Sequence, residues 1–477
     1  MSAALAPADL ALPLEVFHPS CVRGQVRQTL TPAFCERLGL ALGSEARARG
    51  FNKIVVARDA RLLSQDYASS LMGGLNNAGV DVVDLTLAPI GVMQLAAHDM
   101  AQGCGVIVSG GRSAAAWDGF KVMLGGAPLV TADWLRLQER MSLAEFLKGS
   151  GEFDREPQLE AYVERMAAGI QLSRPVKLVV DHGNGATAVV GADLLKRLGC
   201  SVHEIWPQVD GNFPNHFPDP TLPDNFVDVI SVQRSSAQGE LGLVFSGDGA
   251  GLGVVDTRGY AVDPDRVLML LAADLLAHTP GATVVGDARC SERVANFVTT
   301  LGGQFIMAPV GHARVEQVMR DSGAQLAGDL AGHYYFADHW LGHDDALYAA
   351  ARLAQALSRH PDQAAGAAAL AALPKAQAPT EIRMKAGAQT VDDLLQELAP
   401  QSFDGGKVLR LEGSASSGGL EGLRVVWPDG LCVVRASTTT AGLVLRFEGS
   451  TAPALQQAQA RFKAAFAVIR PGVTLPF

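Results

Sequence analysis

Cysteine is scarce in this chain. The 477 residues hold six, Cys21, Cys35, Cys104, Cys200, Cys290 and Cys432, with no CxxC pair and no metal-ligand spacing. That argues against a disulfide framework or a zinc site and for small buried side chains in a reducing compartment. Basic charge is also in short supply. The 39 Lys and Arg against 49 Asp and Glu leave a net charge of −10, which speaks against nucleic acid or an anionic membrane as the main partner. No apolar run reaches the ~18 residues of a membrane span; the most apolar later run, Val267 to Ala277, is short and contains Asp274. The first residues carry no basic segment ahead of their apolar stretch, so no signal peptide is expected. The expectation is a cytoplasmic protein.

Hydrophobic residues make up 48% of the chain and charged residues 18%, enough apolar material for several packed cores. At roughly 100–200 residues per domain, three or four domains are expected. Short β-branched runs alternate with helical patterns. Lys53-Ile-Val-Val-Ala precedes a helical stretch from Ser64, and the cycle restarts at Val176-Lys-Leu-Val-Val-Asp and again near Pro264. This pattern predicts three tandem related α/β domains with mixed sheets. Beyond Pro379 the pattern turns to half-buried alternation, as in Gly422-Leu-Arg-Val-Val-Trp and Leu431-Cys-Val-Val-Arg, and closes with a helix from Pro453 to Ile469. A C-terminal α+β domain is expected there. The boundaries are placed at 1–150, 151–257, 258–372 and 373–477.

Four polar or glycine-rich loops follow strands, where α/β sheets bind ligands. Ser109 to Lys121, with Arg112 and Lys121 beside small residues, is either a phosphate loop or a plain connection. Phe245 to Asp256 is a glycine-rich turn in which Asp248 is either a metal ligand or a turn former. Gly328-Asp-Leu-Ala-Gly-His333 offers Asp329 and His333 to sugar hydroxyls or merely closes a turn. Arg435-Ala-Ser-Thr-Thr-Thr440 joins a guanidinium to Ser437, Thr438, Thr439 and Thr440, and reads as an anion cradle or a solvated hairpin loop.

The order and spacing of these loops resemble the α-D-phosphohexomutases, the phosphomannomutase/phosphoglucomutase family. The framework carries the same resemblance. Val179-Val-Asp-His-Gly-Asn-Gly-Ala is similar to the family's VVDxGNGA, Val209 to Pro220 to its VDGNFPNHxPDP, Leu326 to His333 to LAGEMSGH, and His343-Asp-Asp-Ala-Leu-Tyr-Ala-Ala-Ala-Arg to FDDGIYAAAR. The resemblance implies four domains around a central cleft, each giving one loop. It also implies a phosphoserine in domain 1 that exchanges its phosphoryl group with a hexose phosphate, a magnesium ion held by three aspartates in domain 2, sugar contacts in domain 3 and a phosphate grip in domain 4.

Residue by residue, the carry-over is incomplete. The family serine falls on Gly111 and its histidine on Arg112, while Lys121 is kept. Of the DGDGDR motif only Asp248 remains among the metal ligands, with Ser246, Ala250 and Gly251 at the other positions. Arg23 and His312 persist in their motifs, as do Asp329, His333, Arg435, Ser437 and the following threonines in theirs. Glycine has no oxygen to carry a phosphoryl group, and one aspartate is a poor magnesium site. The main expectation is therefore a protein that binds a hexose phosphate but has lost mutase chemistry, with no cofactor and with Arg112 as a fixed cation where the ion would lie. The alternatives are an active phosphomannomutase/phosphoglucomutase, with Ser109 or Ser113 as a shifted nucleophile, and a partner subunit with a vestigial cleft. A monomer or dimer is expected, with a protein partner left open.

Overall fold

A computed structural model describes residues 12–235, 238–378, 381–385, 390–412, 419–437 and 442–477. Three mixed α/β domains are followed by an α+β domain, as the patterning predicts. The first sheet runs in the order Phe17–His18, Cys21–Gln25, Trp117–Leu124, Gly105–Val108, Lys53–Arg58, Asp81–Leu87 and Phe153–Arg155. The second runs Ser201–Ile205, Lys177–Asp181, Leu241–Phe245, Leu252–Val255 and Ala261–Val262, and the third Gln304–Ala308, Thr283–Asp287, Leu326–Gly328 and Tyr334–Phe336. The last sheet is wholly antiparallel, from Ile382–Lys385 through Gly442–Gly449, Gly430–Ala436 and Leu420–Trp427 to Lys407–Glu412.

The first three sheets repeat one unit. A parallel strand (Lys53–Arg58, Lys177–Asp181, Thr283–Asp287) lies beside a second parallel strand, which turns into an antiparallel neighbour. The turn between those last two strands is the candidate loop in every case: 109–116, 246–251 and 329–333. The parallel strands are buried on both faces, which is why they read as continuous apolar runs.

Helix packing shows how tightly the first domain is drawn together. The helices Pro32–Ala48 and Ser64–Asn77 meet at Gly39 and Gly74, where an added Cβ would lie 2.2 Å from the Leu71 carbonyl and 2.1 Å from the Glu36 carbonyl. Only glycine permits that approach.

Domains 1 to 3 share one continuous hydrophobic core, running from Val16 to Leu373. Domain 4 has its own, built on Leu395, Phe403, Leu423, Trp427, Phe447 and Phe462. The fourth domain is tied to the third mainly by polar contacts. Arg424 donates to the carbonyls of Ala288 and Cys290 and pairs with Glu292, Arg446 donates to the Arg289 carbonyl, and Arg314 pairs with Glu421. The six cysteines are all free thiols, five of them buried. Among the described residues no helix is long and apolar enough to cross a membrane.

Candidate functional site

The domain 1 loop is held from beneath by Arg61. Its guanidinium donates to the carbonyls of Gly111 (3.1 Å), Ser113 (2.7 Å), Ala114 (2.8 Å) and Trp117 (2.8 Å) and pairs with Asp59 at 3.1 Å. It also stacks over Phe213 of domain 2, 4.9 Å from the ring centre. Asp59 in turn accepts from the Arg61 backbone N–H and from Ser109 Oγ. Ser109 Oγ then accepts from Gly111 N at 2.8 Å, so this buried hydroxyl is committed to shaping the turn.

Ser64 Oγ lies 2.9 Å from Asp59 Oδ1 and 2.8 Å from Asp118 Oδ2. One hydroxyl proton cannot serve two carboxylates, so one of the acids must carry a proton. That acid is Asp118: burial, with the Asp59 charge beside it, pushes its pKa up to about 7. The folded protein thus holds a proton between about pH 4 and 7 that the unfolded chain has released, and stability falls as pH rises through that window. Asp118→Asn is expected to raise the melting temperature at pH 8 and to flatten its dependence on pH between 5 and 8; an unchanged slope would place the proton elsewhere.

Lys121 crosses from domain 1 to domain 2. Its Nζ lies 2.6 Å from Asp248 Oδ2, a half-buried ammonium against a buried carboxylate. Burial opposes both charges, but the attraction prevails: Asp248 and Asp344 raise the Lys121 pKa, and Lys121 and Ser246 hold Asp248 well below the usual carboxylate range. Asp248 Oδ1 accepts from Ser246 Oγ and from Ala250 N, and Ser246 Oγ accepts from Gly251 N. Ser246 therefore knits the turn together. Arg112 does not take the place expected for it. It faces Asp219 at 3.8 Å, and Lys121 is the cation beside Asp248. A side chain's reach, more than its place in the motif, decides which cation arrives.

The domain 2 turn is bonded to the domains on either side of it. Ile90 N donates to the Asp248 carbonyl, Leu252 N to the Gly332 carbonyl and Ala346 N to the Gly249 carbonyl. In domain 3, Asp329 Oδ1 accepts from the backbone of Ala331 and His333, and its Oδ2 faces His333 Nδ1 at 3.1 Å. His312 opens the helix His312–Ser322. Burial, reinforced by Lys121, His333 and Arg23, lowers its pKa to about 3, so the imidazole is neutral at physiological pH. Arg23 stands opposite Gly119 on the neighbouring strand.

Arg435 of domain 4 pairs with Glu381 at 3.2 Å. Burial lowers its pKa, Glu381 opposes that, and Arg289 adds to it. Ser437 donates its backbone N–H to the Gly442 carbonyl. Thr438, Thr439 and Thr440 lie outside the described residues.

Arg61 and Arg289 are the functional candidates that motif reading missed. The signal was present as a repeat. Asp59-Ala-Arg61 and Asp287-Ala-Arg289 end equivalent strands, and in both the Asp carboxylate accepts from the Arg backbone N–H and pairs with its guanidinium. Arg289 also lies 3.6 Å from Asp329.

The side chains as placed do not form a cage for magnesium. Both oxygens of Asp248 are engaged, one by Lys121, and no cluster of three His, Cys, Asp or Glu suited to a metal occurs among the described residues.

Comparison with known proteins bears on the whole chain. Models of the phosphoglucomutase/phosphomannomutase alpha/beta/alpha domains I, II and III match residues 15–147, 160–259 and 263–375, and the C-terminal domain model matches 364–465. A phosphomannomutase/phosphoglucomutase of Pseudomonas aeruginosa is 35% identical over 477 residues, covering 100% of both chains. A phosphoglucomutase of Neisseria gonorrhoeae is 34% identical over 456 residues, 94% of this chain and 96% of that one. The crystal structure of a phosphoglucomutase/phosphomannomutase family protein from Burkholderia thailandensis superposes with a TM-score of 0.91 at 38% identity, over 98% of this chain and 100% of that one.

Two expectations are corrected by these findings. Loss of mutase chemistry, inferred from Gly111 and the missing aspartates, is overturned by full-length relatives named as mutases. The expectation of no cofactor falls with it, since the family's chemistry is magnesium-dependent. With all four domain models matched in order and end-to-end likeness to named relatives, this chain belongs to the phosphoglucomutase/phosphomannomutase family, the α-D-phosphohexomutases.

Proposed function

We propose that this chain interconverts hexose 1-phosphates and hexose 6-phosphates in the cytoplasm, as a phosphomannomutase/phosphoglucomutase. The observation that supports this most is likeness to proteins so named over the entire length, at 35% identity. Phosphoryl transfer asks chiefly for positioning and for neutralisation of charge. In this reading Arg435 and Ser437 grip the phosphate that is not reacting, Asp329 and His333 orient the sugar hydroxyls, and Arg23 and Lys121 face the phosphoryl group in transit.

The carrier of that group is a side chain other than residue 111. On the same loop, Ser109 is locked by Asp59 and Gly111, whereas Ser113 is half-buried and, among the described residues, only its backbone atoms are engaged. We assign the role to Ser113. A bond forms from Ser113 Oγ to phosphorus as the phosphorus–oxygen bond to the sugar breaks, and the hydroxyl proton passes to the departing sugar oxygen.

A coupled assay with glucose 1-phosphate and mannose 1-phosphate, in magnesium and with a hexose bisphosphate primer, tests the reading. Turnover is expected with at least one sugar and should be abolished by Arg435→Ala. Intact-mass measurement after exposure to the primer should show one added phosphoryl group, absent in Ser113→Ala. No turnover with either sugar would sink the proposal.

A further inference from the structure

We infer that Arg424 and Arg446, at the seam between domains 3 and 4, are positioning residues for Arg289: they clamp the turn that carries it and so set it against Arg435. The inference rests on the mutase reading, which places Arg435 on the phosphate. The turn follows the strand Thr283–Asp287, and domain 4 holds three successive carbonyls of it. Arg424 donates to the Ala288 carbonyl at 2.6 Å and to the Cys290 carbonyl at 2.9 Å, and Arg446 Nε donates to the Arg289 carbonyl at 3.1 Å. Both cations are anchored. Arg424 pairs with Glu292 at 2.7 Å, and Arg446 lies 3.6 Å from Asp265 of domain 3 and 3.5 Å from Glu448 of its own domain. Arg424 is buried, and the planar fork of a guanidinium reaches two carbonyls at once where an ammonium does not.

The register of the domain 4 sheet explains why these arginines act together. Arg424 pairs with Val433, and Val433 with Arg446, so the two lie in one row across three strands. Residues directly opposite in a sheet share a face, as do residues two apart on a strand. Arg435, two residues on from Val433, is therefore on that face too. The other face, with Leu423, Val434 and Leu445, packs the domain's own core. Three arginines thus stand on the surface that meets domain 3. Two hold the backbone around Arg289, and the third is close enough for the Arg289 charge to act on it.

The Arg289 side chain pairs with Asp287 at 2.5 Å and lies 3.6 Å from Asp329. A shift of the turn would move a cation that stands between the acid facing the sugar and the arginine facing the phosphate. Simple adhesion between the domains does not require this arrangement. Arg314 and Glu421 also bridge the seam, from the helix His312–Ser322, and bond none of the three carbonyls.

Kinetics of the whole chain with glucose 1-phosphate, under the conditions of the mutase assay, test the inference. Arg424→Lys keeps a charge for Glu292 but loses the fork. It is expected to lower kcat/KM about 10- to 100-fold, the scale of a displacement of about 1 Å in a positioning group. Arg289→Lys should cost a similar factor. The two together should cost little more than either alone, because Arg424 acts through Arg289. Arg314→Ala, which removes adhesion alone, should lower the melting temperature and leave kcat/KM near that of the unaltered chain. Hydrogen exchange over residues 287–291 reads the clamp without turnover, and should quicken in Arg424→Lys but not in Arg314→Ala. An unaltered kcat/KM in Arg424→Lys, multiplied losses in the double variant, or unchanged exchange would overturn the inference. Quickened exchange in a chain that turns over neither sugar removes the mutase reading and leaves the clamp standing.

Discussion

Arg61→Ala is expected to abolish most turnover and to destabilise domain 1 by about 3–5 kcal/mol, the usual result of removing one partner from a buried ion pair. Two losses combine. Asp59 would be left as an uncompensated buried carboxylate, and four carbonyls of the domain 1 loop would lose their donor. A displacement of about 1 Å in a group that positions phosphate can cost ~10²-fold in rate. Arg61→Lys separates the two. It keeps the charge but cannot present a planar fork to several carbonyls, so the melting temperature should largely recover while kcat stays low. Hydrogen exchange over residues 109–116 is the readout that a merely stabilising role would not move. Normal exchange and normal kcat in Arg61→Ala would show that the loop holds its shape without this support.

Lys121→Met should have an effect of similar size on stability for the opposite reason, a stranded anion in domain 2. Asp248 is buried, and without Lys121 its charge is left unpaired at a cost of about 3–5 kcal/mol. The double variant Lys121→Met with Asp248→Asn should regain most of the loss. The pH dependence should also reverse. In the unaltered protein Asp248 has a depressed pKa. Its contribution is therefore complete above the unfolded value near 4 and is lost as pH falls below it. In Lys121→Met burial is opposed only by the hydrogen bonds from Ser246 and Ala250, and is expected to raise that pKa above its unfolded value, so stability should fall as pH climbs from 4 toward 7. Thermal melts across pH 3 to 8 decide the matter, and parallel curves for the two proteins would mean that the pair is not coupled.

Much of this was legible in the sequence, because the loops sit at the ends of strands with a clear apolar signature. The closing helix ends at Ile469, where its pattern places it. What could not be read was side-chain direction. Arg112 sits in the loop and Lys121 well into the strand that follows, yet Lys121 reaches Asp248 because its strand, paired with Gly105–Val108, carries it back toward domain 2. The supporting role of Arg61 depends on four carbonyls distant in sequence, which no local pattern encodes. The repeated Asp-Ala-Arg was visible but short, and acquires meaning only when the two strands before it are seen to be equivalent. Function was the least legible. Gly111 and Ala250 are informative about which atoms are present, and they misled when taken to settle the activity of the whole chain.

The separate core of domain 4 carries a consequence for ligand length. Arg435 belongs to a body joined to domain 3 mainly through hydrogen bonds and ion pairs, while Arg23 and Lys121 belong to the continuous core of the other three domains. Polar joints of this kind slide and re-form at little cost compared with a repacked core. In the proposed reading, the span between the two groups that face phosphate is set by a few arginines at the seam. A ligand that reaches from one to the other in that reading crosses the seam between the two cores.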